Sequence, residues 1–142
     1  MLVDCMCALF ILAMSTLALF AAMPVSQASQ RMSADQAQAT YMATKYIEQL
    51  QFLKTTDLNA ATLSSLNLID ADQTTAPYSF ANVPLDNGSY YSPSARLKSA
   101  VATVNFTNID SGAVRCDVVI QWRTPRNVVQ QVATGTIIGG YK

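Results

Sequence analysis

Residues 2–23 form an apolar run broken by one charge, Asp4, and the next charged residue is Arg31. At about 1.5 Å of rise per residue, roughly 22 residues make a helix of about 33 Å, enough to cross a bilayer core. A carboxylate near the end of such a helix is expensive in lipid and ordinarily has a specific partner. The run therefore commits the start of the chain to one apolar helix and leaves the remainder to build a small domain.

Composition removes several function classes. The net charge is zero and no block of Lys or Arg occurs, which argues against a nucleic-acid-binding face. The chain has no His, so His-based general bases, Ser–His or Cys–His pairs and most transition-metal sites are excluded. Of the three cysteines, Cys5 and Cys7 lie in the apolar run and read as small apolar residues, a poor metal site in lipid. Cys116 has no partner in the distal part of the chain, so a disulfide there is excluded. Asp70, Asp72 and Asp86 could offer oxygens to calcium, but no D-x-D-x-D-G loop holds them. The expectation is a protein without catalytic residues, cofactor or metal.

A secretory signal needs a positive n-region before its apolar core; small residues stand at Ala21 and Ala22, but the only early charge is negative. A plain anchor fits the length and leaves Asp4 unexplained, unless it is an interfacial acid favoured by the helix dipole. The lack of basic residues before the run leads to the expectation that a leader has been removed, leaving Met1 with an exposed amine. That amine could pair with an acid at the same end of a neighbouring helix, fixing the axial register between subunits. Pro24 cannot donate its backbone N–H, so the sequence predicts a kink or a locally melted stretch there, or simply the membrane exit.

The segment Leu2-Val3-Asp4-Cys5-Met6-Cys7-Ala8-Leu9-Phe10-Ile11-Leu12-Ala13 resembles the N-terminal helix of type IV pilins and pseudopilins. Members of that family typically read Leu-Val/Ile-Glu and then an apolar run. Here the acid is Asp4, one place nearer the start, so either a first mature residue precedes Met1 or the register differs. The resemblance covers roughly the first 55 residues. It implies a structural subunit of a type IV pilus-like filament, with Leu2, Val3, Leu9, Phe10, Leu12, Leu17 and Phe20 packing the filament core. Asp4 and the amine of Met1 would set register. The implied partners are further copies in a helical filament, the inner-membrane assembly machinery and a prepilin peptidase. The implied location is the inner membrane before assembly and an extracellular filament afterwards. A minor pilin or type II secretion pseudopilin is the alternative within the family. A membrane-anchored binding module, with Tyr78, Tyr90 and Tyr91 as contact residues, is the alternative outside it.

The rest of the chain predicts an α+β fold, a long N-terminal helix packed on a small C-terminal antiparallel sheet, in the pilin manner. Three parts are expected: 1–24, the apolar helix; 25–54, its amphipathic continuation; 55–142, a globular head. Met42, Tyr46, Leu50 and Leu53 share one helical stripe, flanked by Ala39, Ala43 and Ile47, which predicts packing against the sheet. Residues 55–94 carry many turn and breaker signals, with a short helix expected over 59–66 capped by Asp57 or Asn59, and an edge strand over 78–83. Strands are predicted over 96–107, 113–122 and 128–138, the middle one from strict alternation of Val114, Cys116, Val118, Ile120 and Trp122 with more polar neighbours. Residues 124–127 read as the hairpin turn. Asn87 and Asn105 begin N-x-[ST] sequons, Asn87 in a turn.

Overall fold

The computed structural model describes residues 2–86, 91–110 and 112–139. The chain divides into two compact units, Met1–Ala34 and Asp35–Lys142. Helix α1 runs over Leu2–Gln51. Over residues 5–23 it is apolar on nearly every side, and Gln27, Gln30 and Arg31 follow before the first unit ends. Helical structure is unbroken at Pro24, so no melted stretch interrupts it there. A proline inside a helix still withholds one main-chain donor, here from the carbonyl one turn earlier.

In the second unit the helical stripe does what its period demands. Ala39, Met42, Ala43, Tyr46, Ile47 and Leu50 are all buried, whereas Thr40, Thr44 and Glu48 face solvent. The helix ends at Gln51, earlier than the sequence suggests, because Lys54 turns extended to lead into a 3-10 turn at Thr55–Asp57. Leu53 is still half-buried against the core. Helix α2, Ala60–Ser65, is capped by Asn59, whose Oδ1 accepts from the Thr62 N–H at 2.9 Å.

A four-stranded antiparallel sheet in the order β1-β2-β3-β4 completes the unit, with β1 at Tyr78–Ser79, β2 at Val101–Asp110, β3 at Ala113–Arg123 and β4 at Val129–Gly139. The fold is α+β, with the later part of α1 against the sheet; Gln51 Nε2 donates to Thr136 Oγ1 on β4 at 3.1 Å. Along β3 the burial alternates, with Val114, Cys116, Val118, Ile120 and Trp122 inward. The hairpin turn closes through the Thr124 N–H to the Val128 carbonyl at 2.9 Å, with Asn127 in the left-handed region at φ 61°. Gly139 also has positive φ, 81°, and a Cβ there would strike the Gly112 carbonyl and the Thr55 methyl, so only glycine ends this strand without strain.

Two strand boundaries differ from the sequence reading. β1 is only two residues, because the chain bends away after Phe80, where Asp70 captures the following main chain. β2 starts at Val101 and not near residue 96, because Ser92 and Pro93 open a short helix, α3, at Pro93–Arg96. A proline at the first helical position costs nothing, since its missing N–H has no helical acceptor.

Candidate functional site

The apolar surface of the first unit is the feature with most to explain. Its most apolar stretch has no buried residue. Leu17 is 75% and Phe20 72% exposed, and Val3, Leu9, Phe10 and Leu12 are exposed to a similar degree. Soluble monomers rarely leave so large a contiguous apolar surface open. By length and composition the helix could cross a membrane. Two of its hydroxyls bond back to the helix itself: Ser15 Oγ donates to the Ile11 carbonyl at 2.8 Å and Thr16 Oγ1 to the Ala13 carbonyl at 2.8 Å. Hydroxyls that bond back to their own helix need nothing from the surroundings.

Asp4 stands in the first turn of α1, where the helix dipole favours an acid. Met1 lies outside the described residues, and Leu2 opens the helix. Cys5 and Cys7 are free thiols on the exposed helix.

The other sequence candidates fall apart in space or into structural roles. The Asp70 carboxylate is consumed by its own loop: it accepts from Ser79 Oγ at 2.6 Å, the Ala81 N–H at 3.1 Å and the Asn82 N–H at 2.9 Å. Its own N–H donates to the Ser79 carbonyl at 2.8 Å. Asp86 accepts instead from the Tyr41 hydroxyl at 3.2 Å. Among the described residues, no three His, Cys, Asp or Glu side chains are grouped to hold a metal. Tyr78 is half-buried and packs on Phe106, and Tyr91 lies under the Arg96 guanidinium at 4.5 Å. Tyr90 and Asn87 lie outside the described residues. Asn105 is exposed in mid-strand on β2, opposite Asp117.

The Asp70 hub went unseen in the sequence, where it looks like one turn acid among several. Replacing it by Ala leaves the Ala81 and Asn82 N–H groups without their charged acceptor, a loss of about 2–3 kcal/mol. A matching drop in the urea midpoint, followed by the fluorescence of the single Trp, Trp122, checks this expectation.

Cys116 is fully buried, and burial, with a smaller contribution from the Asp117 carboxylate, pushes its thiol up to about 11 from an ordinary 9.0. Burial also raises the Tyr46 phenol. Both groups thus bind their protons more tightly folded than unfolded. Their stabilisation is complete below the unfolded values and lost as pH rises through the folded ones. The urea midpoint should fall between pH 9 and 11, and Cys116→Ala should remove the portion of that fall that begins near pH 9. An unchanged pH profile in the variant would refute the assignment.

No family model, curated protein or solved structure matches the chain. The long N-terminal helix and small antiparallel sheet are consistent with a pilin-like architecture.

Proposed function

We propose that the chain is a structural subunit of an extracellular type IV pilus-like filament, assembled through its N-terminal apolar helix. One observation carries this reading: an apolar helical surface open over residues 3–25 begins with an acid and continues into a helix seated on a small antiparallel sheet. In this reading the subunit waits in the inner membrane, with the helix spanning the bilayer and the head outside. On assembly the helices leave lipid and bundle, exchanging lipid contacts for packing of Leu9, Phe10, Leu12, Leu17 and Phe20 against neighbours. Asp4 pairs with the N-terminal amine of the next subunit. The head forms the outer wall.

The test is mass spectrometry of fibres sheared from producing cells, with the first peptide resolved. This chain dominating the fibre fraction supports the major-subunit role. Its absence from that fraction while it is abundant in membranes overturns it.

A further inference from the structure

The free edge of the sheet is unguarded on one side only. β1 is two residues long and preceded by Pro77, and β2 carries an irregular register near Asn108 and Asp110; short strands, prolines and bulges are devices that stop a sheet edge from recruiting another strand. β4 has none of them. Its eleven residues, VQQVATGTIIG, contain no charge and no proline, and it pairs with β3 in unbroken register from Arg123↔Val129 to Ala113↔Gly139. Among the described residues it has no second strand beside it.

The turn fixes which groups point outward. Thr124 and Val128 are a hydrogen-bonded pair, so the alternation of an antiparallel ladder gives the even residues of β4 to β3. The N–H and C=O groups of Val129, Gln131, Ala133, Gly135, Ile137 and Gly139 therefore face the open edge. The side chains of Val129, Gln131, Ala133 and Ile137 lie on the exposed face of the sheet.

We propose that this edge pairs with the β4 strand of a second copy of the chain, antiparallel about a two-fold axis at Thr134. This register joins Val129 with Gly139, Gln131 with Ile137 and Ala133 with Gly135 of the other copy. Every one is a pair of outward-facing residues, and Thr134 meets its own copy at a non-hydrogen-bonded position. The strand is uncharged throughout, so no like charges meet, and the smallest side chains, Ala133 and Gly135, sit nearest the axis. Full pairing supplies on the order of ten main-chain hydrogen bonds, the number a standard protein interface carries. A two-fold contact closes on itself and makes a dimer. In a fibre whose copies all point one way the same edge cannot pair so with every neighbour; the contact belongs to the unassembled protein, and the inference does not rest on the filament reading.

Cysteine cross-linking of the full chain in detergent micelles tests it, in a Cys5→Ser, Cys7→Ser background so that the exposed native thiols are silent. At a non-hydrogen-bonded pair the Cα atoms lie about 4.5 Å apart, inside the range a disulfide spans. Thr134→Cys should give a disulfide-linked dimer under mild oxidation. Val129→Cys should not, because its copy lies roughly 34 Å away along the paired strand. Gln131→Lys with Ile137→Lys places like charges opposite each other across the axis on an exposed face, and should reduce the Thr134→Cys dimer at least tenfold while circular dichroism stays native. Equal cross-linking at both positions, higher multimers in place of dimers, a Thr134→Cys monomer, or a dimer indifferent to the lysines would each overturn the proposal. Asp4→Ala should leave this cross-link unchanged, which separates the outcome from any result on filament assembly.

Discussion

Tyr46→Ala is expected to remove about 3–5 kcal/mol from the stability of the head, the range for deleting a large buried aromatic side chain. Tyr46 is fully buried in the core cluster, on the inward stripe of α1. Its ring stacks on Phe80 with centroids 3.9 Å apart and planes 7° from parallel. Its hydroxyl donates to the Leu68 carbonyl at 2.8 Å. One side chain thus joins three pieces of the chain: the long helix, the end of the α2 region and the segment that follows β1. Truncation opens a cavity against Phe80 and takes the partner from a part-buried carbonyl, and a head this small has little stability in reserve. Tyr46→Phe separates the two effects. It keeps the stack and loses the hydrogen bond, for about 1 kcal/mol. Urea unfolding followed at Trp122, itself only 2% exposed on β3, measures both variants. If Tyr46→Ala shifted the midpoint no more than Tyr46→Phe, the stacking would contribute nothing and this account of the core would be wrong.

What could be read from the sequence follows from how one-sided each element's burial is. The stripe through Met42, Tyr46 and Leu50 and the alternation along β3 each separate a buried face from a wet one, so their periods show which side packs. The Asn59 cap is legible for a related reason: its hydrogen bond is local, three residues on. Phe80 and Asp70 are not legible. Phe80 is fully buried, yet it sits in a segment of turns with no period to mark it. Asp70 acts on residues nine to twelve positions later, and a turn acid looks the same whether its oxygens meet water or main chain. Pro93 reads as a breaker because proline breaks helices from inside, but here it begins one. Nor does an uncharged strand announce that it will be an edge; among the described residues β4 has β3 on one side and no strand on the other.

Asp4→Ala is expected to abolish fibres while leaving the subunit in the membrane. Two environments weigh on this carboxylate. In lipid, a carboxylate near the end of a helix costs about 2.5–3.5 kcal/mol toward the middle of the span and less near the interface, so removing it makes the membrane state easier to reach. In the filament proposed here, the same carboxylate lies among packed apolar helices and pairs with a neighbour's N-terminal amine. Breaking a buried pair by deleting one partner costs about 3–5 kcal/mol, because the remaining charge is left uncompensated. Each 1.4 kcal/mol is a factor of about ten, so the loss at a single contact lowers assembly more than a hundredfold, and the contact recurs at every subunit. Asp4→Asn keeps a hydrogen-bonding group but not the charge and should assemble almost as poorly. Asp4→Glu keeps the charge on a side chain one methylene longer and should recover most of the yield. The readout is the ratio of subunit in sheared fibres to subunit in the membrane fraction, for all three variants against the parent. A normal ratio for Asp4→Ala would remove the register role. A normal ratio for Asp4→Asn alone would show that a hydrogen bond, without the ion pair, is enough to align one subunit with the next.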